Sequence, residues 1–108
     1  MVKRNTESIT KLIIKCYSVG IINHSGKLLS PSHRYQIIIT SFQNKIIVNI
    51  FALVNRKLFN IIPYTDKILI FKGIQKSGNI TSDFIEKWQV TQELEDWFDL
   101  LETKITIC

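Results

Sequence analysis

Two prolines, four glycines, two cysteines and one methionine are few for 108 residues, and each shortage excludes something. So little Pro and Gly argues against a disordered or low-complexity chain. Cys16 and Cys108 lie at opposite ends, which makes neither a disulfide framework nor a metal signature; Cys16 reads as a small buried hydrophobe in a reducing intracellular compartment. No apolar run is long enough to span a bilayer, and Lys15 interrupts the only run near the basic start, so neither a membrane segment nor a targeting peptide is expected.

Chemistry is scarce as well. There is no nucleophile–base pair, no Gly-rich phosphate cradle and no paired-carboxylate arrangement. His24 and His33 match no metal-ligand spacing and have no third ligand close by. No catalytic residue, metal or cofactor is expected, and the chain reads as a binding protein rather than an enzyme.

Acid is nearly absent from most of the chain. Up to Val90 the Lys and Arg number 13 against 4 Asp and Glu, a balance of +9. From Thr91 onward one Lys faces five acids, a balance of −4, which returns the net +5. A basic body with an acidic tail suits a polyanionic partner for the body.

What is abundant is isoleucine, often in runs such as Ile37-Ile38-Ile39 and Ile46-Ile47. β-Branched runs favour strands. Residues 1–10 read as a flexible polar arm. Lys11 to Ile22 reads as a first strand bent at Gly20, and Asn23 to His33 as a loop. Tyr35 to Ser41 and Lys45 to Phe51 read as strands joined by a hairpin at Phe42-Gln43-Asn44. In Ala52 to Ile62, Leu53, Val54, Leu58, Ile61 and Ile62 form a helical stripe that Pro63 stops. Lys67 to Lys72 reads as the next strand. Ile80 to Val90 reads as a final strand broken around Glu86, although Phe84, Ile85 and Trp88 also fit one helical face. Thr91 is placed to cap a last helix, with Leu94, Trp97, Phe98, Leu101 and Ile105 on one apolar stripe.

That order predicts an all-β fold with helices: a five-stranded oligonucleotide/oligosaccharide-binding (OB) barrel over residues 11–90, a helix between strands 3 and 4, and a C-terminal amphipathic helix over 91–108. The stretch Tyr35-Gln-Ile-Ile-Ile-Thr-Ser, the turn to Lys45, Ile46 to Phe51 and Lys67-Ile-Leu-Ile-Phe71-Lys72-Gly73 resembles the OB domains of replication protein A and its telomeric relatives. The resemblance covers about the central forty residues, and the turn lacks the family's usual acidic residue and glycine. It implies a lone small subunit, nuclear, working with other OB subunits on single-stranded DNA in replication or at telomeres. By position it implies base stacking by Tyr35 and Phe71 and backbone contacts by Lys45, Lys67 and Lys72.

Phe42, on a hairpin tip, joins that nucleic-acid set because it is hard to bury there. The stripe of Leu94, Trp97, Phe98 and Leu101 is expected to meet a partner subunit, since a small closed barrel leaves such a helix little of its own to cover. Two readings follow: a subunit acting through assembly and supporting DNA binding, and a stand-alone single-stranded nucleic-acid-binding module.

Overall fold

A computed structural model of the chain describes residues 4–85 and 88–107. Its elements run α1 (Thr6–Ser18), β1 (Lys27–Leu29), β2 (Tyr35–Phe42), β3 (Lys45–Leu58), β4 (Ile62–Lys76), β5 (Asn79–Phe84) and α2 (Gln92–Ile107). The five strands form one antiparallel sheet in the order β1-β2-β3-β4-β5. Each strand pairs with its sequence neighbours, and among the described residues β1 and β5 do not pair to close the sheet.

The first strand expected over Lys11–Ile22 is instead part of α1. Asn5 caps this helix, its side chain accepting from the Ser8 amide at 2.7 Å, and Ile9, Ile13 and Cys16 form a buried stripe. Caps and a 3.6-residue stripe outweigh the strand preference of isoleucine. Gly20, read as a bend in a strand, takes a positive φ of 88° just after the helix ends, the conformation glycine adopts without steric cost. Residues 6–10 of the expected arm are the first turns of α1. Residues 1–3, Glu86 and Cys108, on which other expectations fell, lie outside the described residues.

The helix expected over Ala52–Ile62 is absent; these residues continue β3 and turn into β4. A spacing of four, as in Val54, Leu58 and Ile62, belongs to one face of a strand as well as to one face of a helix. Phe59 and Asn60 both take positive φ and turn the chain. Pro63 sits near the start of β4, where the strand has a neighbour on one side only. The hairpin expected at Phe42 is present, with Gln43 and Asn44 at positive φ as in a type I′ turn.

Both helices pack on one face of the sheet. Ile37, Ile39, Val48, Ile50 and Phe71 meet α1 and the α2 stripe there in a single core. A bulge makes Ile70 the extra residue of β4, so that Ile70 and Phe71 are both fully buried. The Thr10 side chain of α1 sits directly on Gly73, where an added Cβ would lie 2.3 Å from Thr10 Oγ1 and 3.0 Å from its Cγ2. Gly73→Ala is expected to cost about 1–3 kcal/mol of stability through overpacking. Part of that loss returns in the double variant with Thr10→Ala, which removes the two closest atoms; chemical denaturation of all four members of the cycle measures the coupling.

Cys16, as expected, is fully buried. Desolvation raises its thiol from 9.0 to about 11. A raised folded-state value favours the neutral thiol, so the associated stability is present below pH 9 and is lost as pH rises through about 11. In a Cys108→Ser background, a thiol reagent at pH 8 is expected to find no reactive cysteine until denaturant is added.

Candidate nucleic-acid interface

Strand register sorts the side chains into two faces, because directly paired residues of antiparallel strands point the same way. On the face away from the helices, one row runs Lys27, Ile38, Asn49, Lys72, Asp83 across all five strands. The next row is Thr40, Ile47, Ile74, Thr81, and the outermost is Phe42, Lys45, Lys76, Asn79. On the other side of the central row lie Leu29, Gln36, Phe51 and Leu69, followed by Leu53 and Lys67.

Five lysines therefore share this face with one acid, Asp83. None of the five forms an ion pair with a described residue. Phe42 is 58% exposed at the hairpin end, and Phe51 is half-buried in the middle of β3. The carboxamide oxygens of Gln36 and Asn49, also on this face, are buried without a hydrogen-bond partner among the described residues.

Five of the acids, Glu93, Glu95, Asp96, Asp99 and Glu102, lie instead on α2. The Arg4 guanidinium reaches Glu95 at 2.5 Å and Asp99 at 2.7 Å and also pairs with Glu102, tying the chain just ahead of the Asn5 cap of α1 to α2. The uncovered sheet face is thus rich in lysine and α2 rich in carboxylates, while α1 carries charges of both signs.

Of the six residues expected to meet nucleic acid, Phe42, Lys45, Lys67 and Lys72 come together on the uncovered face. Tyr35 and Phe71 do not. Tyr35 points to the helix side, half-buried, with its hydroxyl 3.4 Å from Thr91 Oγ1. Phe71 is fully buried, edge-on to Phe84 with ring centroids 5.0 Å apart. A base cannot stack on a ring the core already covers.

Thr91 caps α2 as expected, accepting from the Leu94 amide at 3.2 Å. The partner surface expected on that helix is corrected: Leu94, Trp97, Phe98 and Leu101 are all buried in this chain's own core. An open sheet needs a helix layer over one whole face, and the α2 stripe supplies part of it. Lys27, Lys76 and Phe51 are the members of the uncovered face that sequence reasoning missed. Alternation at Lys45-x-Ile47-x-Asn49-x-Phe51 and Lys72-x-Ile74-x-Lys76 carries the signal for the last two. No metal-binding group of side chains and no helix long and apolar enough to cross a membrane occurs among the described residues. No protein-family model, curated protein or solved structure matches the chain.

Proposed function

We propose that the uncovered sheet face binds single-stranded nucleic acid, without catalysis. The observation that carries this reading is the gathering of Lys27, Lys45, Lys67, Lys72 and Lys76 on one face beside Phe42 and Phe51. Lysines neutralise phosphates, while rings on a sheet surface stack unpaired bases, as sheet-based readers of single strands do. Duplex grooves instead admit a helix or a narrow ribbon, and a broad five-stranded face fits neither.

The reading needs only the face, not closure of the sheet into an OB barrel. A nuclear setting among OB subunits in replication or at telomeres rests on the sequence resemblance alone, and it stands second because the helix expected to meet such partners is occupied within the chain.

Fluorescence anisotropy with a labelled short oligonucleotide tests the proposal. Five phosphate contacts on a single strand give a log–log salt slope of about −3.5, or a loss of roughly 100-fold between 50 and 200 mM salt. Phe42→Ala is expected to weaken binding by about 1–3 kcal/mol if it stacks one base. Absence of binding at low salt, or affinity that ignores salt, overturns the proposal.

A further inference from the structure

Phe51, on the uncovered face, has a carboxamide on two sides of it. Gln36 is its direct partner across β2 and β3, and Asn49 precedes it by two residues on β3. Because Gln36 pairs with Phe51 and Ile38 with Asn49, the two carboxamides are diagonal neighbours, with Cβ atoms about 7–8 Å apart. Their surroundings on the face are mostly apolar. The row through Gln36 and Phe51 ends in Leu29 and Leu69, and Ile38 and Ile47 lie beside Asn49, with Lys72 as its partner on β4.

Neither carboxamide oxygen is satisfied within the described chain. Both are buried without a hydrogen-bond partner, while the two side chains as a whole are half-exposed. Few such groups persist in folded proteins, because each gives up water without gaining a partner. Leucine or methionine would fill the same positions without that cost. Both side chains end in a soft torsion, so a half-turn exchanges oxygen and nitrogen and lets either face a ligand on the surface.

A base stacked on Phe51 presents its edge to both. One carboxamide pairs with an adjacent donor and acceptor, as Asn and Gln do with adenine. Among the common bases only adenine has an amino group with a ring acceptor on each side, N6 lying between N1 and N7. Cytosine N4 has N3 on one side and C5–H on the other, and guanine N2 lies between N1–H and N3. Thymine and uracil have no amino group. Two carboxamides converging on one amino group therefore both pair fully with adenine, and with no other common base.

We infer that Gln36 and Asn49 read an adenine stacked on Phe51. The inference rests on the proposed binding of single strands by this face and adds which base the face selects. The lysines hold phosphates of any sequence alike, so selection falls to groups that reach a base edge.

Fluorescence anisotropy on the full chain compares a short oligothymidine with the same strand carrying one central adenine. The adenine strand is expected to bind about 10-fold or more tightly. Putting 7-deazaadenine in its place removes only the N7 acceptor and should forfeit about 5-fold with the protein untouched. Gln36→Met and Asn49→Leu remove the carboxamides and keep the side-chain size. Each should cut the adenine-to-thymine affinity ratio by about 5-fold or more, and the double variant should bring it near one. Their melting temperatures should equal or exceed the parent's, because an unpartnered buried polar atom is lost. Variants that melt lower and keep the ratio make the carboxamides structural groups and overturn the inference. Salt-sensitive binding of both strands with equal affinity overturns it too, and leaves the binding face standing. Absence of binding to either strand at low salt overturns both.

Discussion

Phe71→Ala is expected to remove about 3–5 kcal/mol of folding stability, the range for deleting a fully buried aromatic ring. The ring is wholly shielded, pairs edge-on with Phe84, and lies opposite Ile50 at the bulge where β4 turns two consecutive side chains into the core. Little around it can collapse into the space, since rigid strands flank it on two sides. Small domains have only about 5–15 kcal/mol in total, so the variant should be close to unfolding at body temperature. Urea titration followed by tryptophan fluorescence measures this, with Phe42→Ala as the contrast, expected within about 0.5 kcal/mol of the parent as an exposed site. A Phe71→Ala protein of near-parental stability that selectively loses oligonucleotide binding would instead make Phe71 a stacking residue.

The second large effect is on binding. Lys45→Glu, Lys72→Glu and Lys76→Glu together reverse three charges on the uncovered face. Lys45 and Lys76 are cross-strand partners on the outermost row, and Lys72 lies in the central row. Loss of three phosphate contacts should shrink the log–log salt slope by about 2 and weaken binding at low salt by at least about 100-fold. Stability should hold, because Lys72 and Lys76 are exposed, Lys45 is half-buried at the hairpin end, and surface substitutions away from caps and networks have small effects. Reversing Lys11 and Lys15 on α1 and Lys104 on α2, all exposed, is the control matched in net charge and should leave affinity within a few-fold. Equal loss in both variants would mean that net charge, rather than this face, governs binding.

The parts of the molecule legible in the sequence are those where local pattern and tertiary context agree. The β2–β3 hairpin was readable because a polar turn separates two β-branched runs, and α2 because its cap and stripe coincide. The β3–β4 hairpin misled because apolar residues four apart satisfy a strand face and a helix face alike, and Phe59-Asn60 lacks the glycine that usually marks a tight hairpin. In α1 the density of isoleucine masked an Asn5 cap and the Ile9, Ile13, Cys16 stripe, both of which were present to be read.

The site divides in the same way. Strict alternation from Lys67 through Leu69 would place Phe71 on the lysine face, and the bulge at Ile70 reverses that parity. A bulge is set by what must fill the core, so nothing local announces it. Tyr35 begins a strand with apolar residues on both faces, which leaves its orientation undetermined until β3 fixes the register. The stripe around Trp97 is legible as apolar from its spacing. What covers it depends on whether the sheet is open or closed, a property of the whole chain.

The most direct test of the central claim is a heteronuclear NMR titration of the isotopically labelled chain with a short single-stranded oligonucleotide at low salt. The account predicts saturable shifts on the uncovered face, strongest at Phe42, Lys45, Phe51, Lys72 and Lys76, with α1 and α2 little changed. Shifts centred on the helices, or none at saturating oligonucleotide, would contradict it.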